Sequence, residues 1–383
     1  MLSKILKKFI FLLSIVLTSS SCVPMRSIVY NVPKIKTNHI FPQAIVQPDS
    51  VPYIFNEKID TGFGKRFKIA NLYNLFDQTE FETALENEKT RAFIILHHDT
   101  IIYEKYFKGF VQEDYLTSFS LMKSFISSLI GIAIEEGKIK SIHDPFCEYF
   151  PEIDCEKFGS VTIEHLLQHT SGVDFKGLPK LYYGKNIAKN VMPQGMNYPA
   201  GTEFKYENAG SQILGMLIQK VYQKPVYQVW EEKVWSKIGT EYPIHWALDD
   251  KKNQQAKTFC CVDAVARDFA RLGRVWMNDG FYNGEEIIPK SWLDSIKVPT
   301  IKEGATINYK YHFWKAPTEY DCFLAAGMYG QIVFMCPEKN LMFVRLGEKN
   351  KMQMDDKFWI PVFLQLIDQM EVEGFFDNSK PKQ

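Results

Sequence analysis

The chain has 383 residues, of which 46% are hydrophobic and 23% charged. That is the composition of a globular protein with ample material for a core, in one large domain or two small ones. Lys plus Arg equals Asp plus Glu at 45 each, so no basic excess points to nucleic acid and no acidic tail is present.

The first 22 residues stand apart. MLSKILKK is a positive end, FIFLLSIVL an apolar run, and TSSSC a patch of small residues ending in Cys22. The pattern is that of a secretory leader whose apolar run is short for a membrane span. A cysteine directly after small residues resembles a lipoprotein cleavage site. The expectation is an exported protein, anchored to the membrane by a lipid on Cys22 and facing the periplasm or exterior; plain secretion is the alternative. Residues 23–60 carry Pro24, Pro33, Pro42, Pro48 and Pro52 with little periodicity and read as a tether. The globular domain is expected over 61–375.

Export permits disulfides. Cys147, Cys155, Cys260, Cys261, Cys322 and Cys336 form no CxxC pair. A zinc cluster is therefore not expected, and most of the six read as small buried hydrophobes.

Within the domain, RAFIILHHDTIIYEKYF (91–107) reads as two strands about a His97-His98-Asp99-Thr100 turn. An apolar helix follows Ser120 and runs to Gly137, a C-terminal cap. Helical spacing recurs in 161–172, 211–223 and 262–280. Residues 330–347 read as a second hairpin turning at Pro337–Asn340, and 356–370 as a closing amphipathic helix bent at Pro361. Strands at both ends with helices between predict an α+β fold. An antiparallel sheet would form from the N- and C-terminal strands, flanked by helices and by a mostly helical lobe, with a cleft between lobe and sheet.

Two segments carry chemistry. In SFSLMKSF, Ser120 and Lys123 share a helix face at i, i+3. The turns that follow are apolar nearly all round, which buries the helix. Low dielectric and the positive end of the helix dipole both disfavour an ammonium there. Lys123 could then take the Ser120 proton, and the helix start offers the Ser120 N–H to an oxyanion. The alternative is an exposed first turn with a solvated lysine. In YPAGTEFKYENAG, Tyr206 and Asn208 form the chain's only Y-x-N, on a loop entering a helix. A tyrosine beside a lysine can relay a proton, and an asparagine amide can orient the lysine or the substrate. A packed aromatic is the competing reading of Tyr206.

Ser120-Leu-Met-Lys123 and Tyr206-Glu-Asn208, with IEHLLQHTSG (163–172) and ARDFARLGRVWMNDGFYNGEEIIP (266–289) in the same order, resemble the serine beta-lactamase-related superfamily. That superfamily includes class C beta-lactamases, DD-peptidases, esterases and 6-aminohexanoate-dimer hydrolases. The resemblance covers about 90–365. It implies a serine hydrolase working through a Ser120 acyl-enzyme, with Lys123 and Tyr206 transferring protons, Asn208 orienting, and no metal or organic cofactor. Lactamases and peptidases of the superfamily usually carry Lys-Thr-Gly on the strand before the terminal hairpin. Here Ala325-Ala326-Gly327 stand in its place, so the groups that hold a substrate carboxylate are missing. Gly327-Met-Tyr-Gly330-Gln331 is closer to the esterase and aminohexanoate-hydrolase branch. That likeness makes Met328 N–H the second oxyanion donor and puts Gly327, Tyr329, Gly330 and Gln331 at the substrate, a small molecule or short peptide. Tyr183 is added by loop position. The alternatives are a cell-wall or peptide DD-peptidase or amidase, and a non-catalytic binding lipoprotein. His165 and His169 have metal-like i, i+4 spacing but no third ligand, and His169 belongs to a helix-ending turn in the superfamily. Asp268 reads as structural.

Overall fold

Eight strands form the main sheet, in the order Tyr309–Lys310, Phe313–Lys315, Phe323–Gly327, Gln331–Cys336, Leu341–Gly347, Thr90–His97, Thr100–Tyr106 and Asn56–Glu57. The N-terminal hairpin thus joins the C-terminal strands, with Val344 opposite Ile94. All neighbours are antiparallel except the edge pair, where Asn56–Glu57 runs parallel to Thr100–Ile101. The computed structural model describes residues 26, 32–71, 74–175, 178–299, 308–317, 319–348 and 359–376. The leader with Cys22 lies outside them. Among the described residues no helix is long and apolar enough to cross a membrane.

The central strands are apolar at nearly every position because the sheet is covered on both sides. Ile94, Leu96, Val333, Met335, Met342 and Val344 pack toward the helical lobe. The alternate residues Phe93, Ile95, Ile332, Phe334, Leu341 and Phe343 pack with Phe363, Leu366 and Ile367 of the terminal helix. That helix spans Trp359–Val372, and Pro361 sits in its first described turn, where a missing N–H breaks no helical bond.

Three expectations are corrected. Residues 37–60 are not a tether. Gln43–Val46 pairs with Ile244–Ala247 in a second sheet that continues to Val262–Ala264 and Leu116–Thr117, while Asn38, Phe41 and Val46 are buried. Residues 262–264 are therefore strand, and the helix expected from 262 starts at Ala266. Lastly, the cysteines are not mainly free hydrophobes. Cys147 bonds Cys155, Cys260 bonds Cys261, and the buried Cys322 and Cys336 hold their sulfurs 2.6 Å apart.

The second sheet matters because its edge strand Leu116–Thr117 runs straight into the Ser120 segment. Ser118 is tied to Val262 in both directions: its N–H donates to the Val262 carbonyl at 2.7 Å, and its Oγ accepts from Val262 N–H at 3.2 Å. Asp268 is structural, as its helix suggested. It accepts from the Glu241 and Tyr242 N–H groups and pairs with the buried Arg271.

Candidate active site

Ser120 lies in a 3-10 turn, Phe119–Met122, and Lys123 opens the α-helix that runs to Glu135. In a 3-10 turn, residues i and i+3 eclipse, which aligns the two side chains. Phe119 adopts φ +44, a left-handed conformation that a bulky side chain takes only when its surroundings enforce it. Here the Ser118 bonds to Val262 hold one side of it, and its buried ring packs edge-on to Tyr329.

Lys123 is 1% exposed. Its Nζ donates to Ser120 Oγ at 2.9 Å, to Asn208 Oδ1 at 2.8 Å and to the Phe259 carbonyl at 2.9 Å. Three acceptors match the three donors of an ammonium. A neutral amine fits the same geometry, with two N–H groups on Asn208 and Phe259 and its lone pair toward the Ser120 hydroxyl. A proton can therefore move between Ser120 and Lys123 without rearrangement. The exposed-lysine alternative is excluded by this burial.

The Y-x-N segment meets the lysine from the other side. Asn208 is the N-cap of the helix Ala209–Tyr222. The Tyr206 ring centroid lies 4.9 Å from Lys123 Nζ, and Tyr206 is 38% exposed, open to an incoming molecule. Behind it, the His169 ring lies 4.4 Å away, and Trp314 stacks at 6.3 Å. Between the two motif residues, Glu207 accepts from the Ala209 and Gly210 N–H groups, both at 2.7 Å. Burial pushes its carboxyl up to about 7.

The strand Phe323–Gly327 abuts the nucleophile turn. A Cβ at Gly327 would stand 3.0 Å from Ser120 N, so only glycine lets the backbones approach this closely. Met328, the expected second oxyanion donor, follows in a turn closed by Gly330 N–H to the Gly327 carbonyl at 3.2 Å. Tyr329 and Gly330 are both left-handed. Buried Arg345 holds the turn by donating to the Tyr329 and Gly330 carbonyls at 2.7 and 2.8 Å. Ala325 and Ala326 are buried and bring neither cation nor hydroxyl.

Two expected substrate contacts are turned to other work. Gln331 is fully buried and exchanges both amide groups with the Gly347 backbone. Tyr183 is 3% exposed and packs on Tyr182 and Phe41. Of the two histidines with metal-like spacing, His165 closes the capping box of its helix with Thr162. His169 is buried at the end of that segment with neither ring nitrogen hydrogen-bonded. Among the described residues no group of three His, Cys, Asp or Glu is arranged for a metal.

His312 and the Phe259 carbonyl were not anticipated. His312 Nδ1 lies 3.1 Å from the Lys123 carbonyl and Nε2 lies 3.3 Å from Ser211 Oγ. Its own carbonyl accepts from Ser124 Oγ at 2.8 Å. It thereby clamps the Lys123 helix to the Asn208 helix. Burial, reinforced by the nearby Lys123 charge, pushes the imidazole down to about 3 and keeps it neutral.

The sequence model of the Beta-lactamase family matches residues 84–362, which span both motifs and the Gly327 strand. The chain belongs to that family. It is 21% identical over 296 residues to the 6-aminohexanoate-dimer hydrolase of Paenarthrobacter ureafaciens, covering 70% of this chain and 75% of that one. A structure assigned as a 6-aminohexanoate-dimer hydrolase from Bacillus anthracis superposes with a TM-score of 0.78 at 22% identity, over 89% of this chain and 93% of that one. A family VIII carboxylesterase superposes with a TM-score of 0.59 at 16% identity, over 75% and 94%. The Beta-lactamase-family fold is thus established, with hydrolases of esterase and amidase type among its relatives.

Proposed function

We propose that this Beta-lactamase-family protein is a serine hydrolase that cleaves an uncharged ester or amide through a Ser120 acyl-enzyme. The observation that carries the reading is the buried Lys123 Nζ, shared between Ser120 Oγ and Asn208 Oδ1. Burying a lysine is costly, and this one places its Nζ on the hydroxyl of Ser120, where it can exchange a proton with it.

Ser120 Oγ attacks the carbonyl carbon, and its proton passes to the Lys123–Tyr206 pair. The N–H groups of Ser120 and Met328 hold the oxyanion. The pair then protonates the leaving alcohol or amine as its bond to carbon breaks. Water repeats the sequence and frees Ser120. Names of relatives support a linear amide or an ester as substrate. Ala325 and Ala326, in place of a cation and a hydroxyl, argue against recognition of a penicillin or peptide carboxylate. The leader ending at Cys22 supports an exported, lipid-anchored enzyme, and the Cys147–Cys155 disulfide agrees with an oxidising compartment.

The test is Ser120→Ala against p-nitrophenyl esters and short linear amides, with fluorophosphonate labelling of the wild type. Loss of turnover and of the label supports the assignment; undiminished turnover in the variant sinks it.

A further inference from the structure

Six cysteines follow the leader, and two pairs of them are bonded, Cys147 with Cys155 and Cys260 with Cys261. The two left over are neighbours. The strands Phe323–Gly327 and Gln331–Cys336 form an antiparallel hairpin in which Phe323 faces Met335. One step further from the turn, Cys322 stands against Cys336. Directly opposed residues of an antiparallel pair hold their Cα atoms about 4.5–5.5 Å apart, within the range of about 4.4–6.8 Å that a disulfide spans. The two sulfurs lie 2.6 Å apart. Unbonded carbon atoms pack best at about 3.5–4.0 Å, and sulfur is larger. The contact is thus tighter than unbonded packing, and a small shift closes it to an S–S bond of about 2.05 Å. Both side chains are fully buried, in the core that includes Phe363 of the terminal helix. Among the described residues no third His, Cys, Asp or Glu joins them in a metal-binding group.

The pair is also poised for oxidation. The Cys322 thiol donates to the Cys336 sulfur, and this holds the Cys336 thiol below its usual range. The thiolate is the attacking form. Cys336 therefore attacks one sulfur of an external disulfide and expels the other as a thiolate. Cys322 then loses its proton and attacks the Cys336 sulfur of that mixed disulfide, expelling the second external thiolate. Two protein thiols become one disulfide, and the oxidant, a dithiol–disulfide oxidoreductase, is reduced to its dithiol. Burial keeps such a partner from the finished fold, so the exchange belongs to folding, before the terminal helix covers the hairpin.

We propose that Cys322 and Cys336 are oxidised to a third disulfide as the exported chain folds, closing the open end of the hairpin whose turn carries Met328. This rests on the reading of export to an oxidising compartment, and not on the acyl-enzyme. Cys22, the residue read as the lipid site, is then the one cysteine of seven outside a pair.

The experiment takes the full chain, expressed with its leader and extracted from the cell envelope of a bacterial host. It is unfolded in guanidinium chloride with iodoacetamide and no reductant, digested with trypsin and weighed by mass spectrometry. Cleavage after Lys and Arg leaves Cys322 and Cys336 together in 316–339, and the two bonded pairs in 141–157 and 258–267. Peptide 316–339 should carry no alkyl group and weigh two hydrogens less than its dithiol form. It should take up two alkyl groups only after reduction. Two alkyl groups on 316–339 without reductant overturn the proposal, as does a link from either cysteine to any other. If 141–157 and 258–267 stay unalkylated in that case, the oxidising compartment stands and only the third bond falls. If all three peptides are alkylated, both fall.

Discussion

Gly327 lies so close to the nucleophile turn that a Cβ on it would stand 2.2 Å from the Ser118 carbonyl oxygen. Neither partner can yield readily. Ser118 is bonded through both its amide and its hydroxyl to Val262, and Gly327 is paired with Gln331 at the end of its strand. Gly327→Ala must therefore push strand and turn apart. Overpacking of this kind costs about 1–3 kcal/mol. The displacement falls between the two proposed oxyanion donors, so turnover should drop more steeply than stability. Thermal melts beside ester hydrolysis separate the effects; an active Gly327→Ala enzyme with a normal melt would contradict the arrangement.

Lys123→Ala should slow acylation of Ser120 by about 10²- to 10⁴-fold, the usual contribution of a positioned general base. Lys123→Arg should fare little better. A planar guanidinium does not fit three convergent acceptors, and it does not give up its proton. The rate of fluorophosphonate labelling reads the acylation step directly. Labelling of either variant at the wild-type rate would remove Lys123 from the mechanism.

How much of this was readable beforehand depended on which atoms do the work. Ser120 and Lys123 were legible because their spacing and the apolar turns after them make a local pattern. Tyr206 and Asn208 were legible through their order along the chain. The Phe259 carbonyl left no trace, because any residue supplies a backbone oxygen. His312 left none either: it stands in KYHFW with no periodic signal, and only the fold carries it to the Lys123 carbonyl. Residues 33–46 were misread because prolines and weak periodicity resemble a linker. What orders that segment is distant in sequence, at Tyr329, Asp263 and the Ile244–Ala247 strand. Gln331 was misassigned for the opposite reason. It sits in a motif-like stretch, yet strand alternation turns its amide to Gly347.

Two buried groups near Lys123 should give opposite slopes of stability with pH. His312 is held down at about 3, below its unfolded value of 6.5. The unfolded chain binds the extra proton between those limits, so this contribution is present above 6.5 and is lost as pH falls toward 3. Glu207 is held up at about 7 against 4.5. There the folded chain binds the extra proton, so its contribution is present below 4.5 and is lost as pH rises through 7. Each slope is at most about 1.4 kcal/mol per pH unit. Urea denaturation of His312→Asn between pH 6.5 and 4.5 should show a shallower acid loss than the wild type, and Glu207→Gln a steeper one. Parallel profiles for all three proteins would contradict both assignments.

Lys257 is, like Lys123, a buried lysine, and among the described residues its ammonium nitrogen donates to the Tyr182 carbonyl at 2.7 Å. Burial pulls it down from 10.5 to about 7, against the attraction of Asp249. Between those limits the unfolded chain binds more protons than the folded one. Stability therefore rises with pH through this window, and the penalty is fully present below 7 and gone above 10.5. Lys257→Met keeps the length and the contact with the Phe41 ring while removing the charge. Each pKa unit corresponds to about 1.4 kcal/mol, and the Tyr182 carbonyl left without its donor costs about 1–3 kcal/mol in return. The balance favours the variant by about 1–3 kcal/mol at pH 7. That advantage should shrink steadily toward pH 10, where the wild-type lysine is neutral in the folded protein and close to its own pKa in the unfolded chain. Melting temperatures of both proteins at pH 7 and pH 10 check it. A variant less stable at pH 7, or a gain that grows with pH, would show that Lys257 is held as a cation by attraction stronger than its burial.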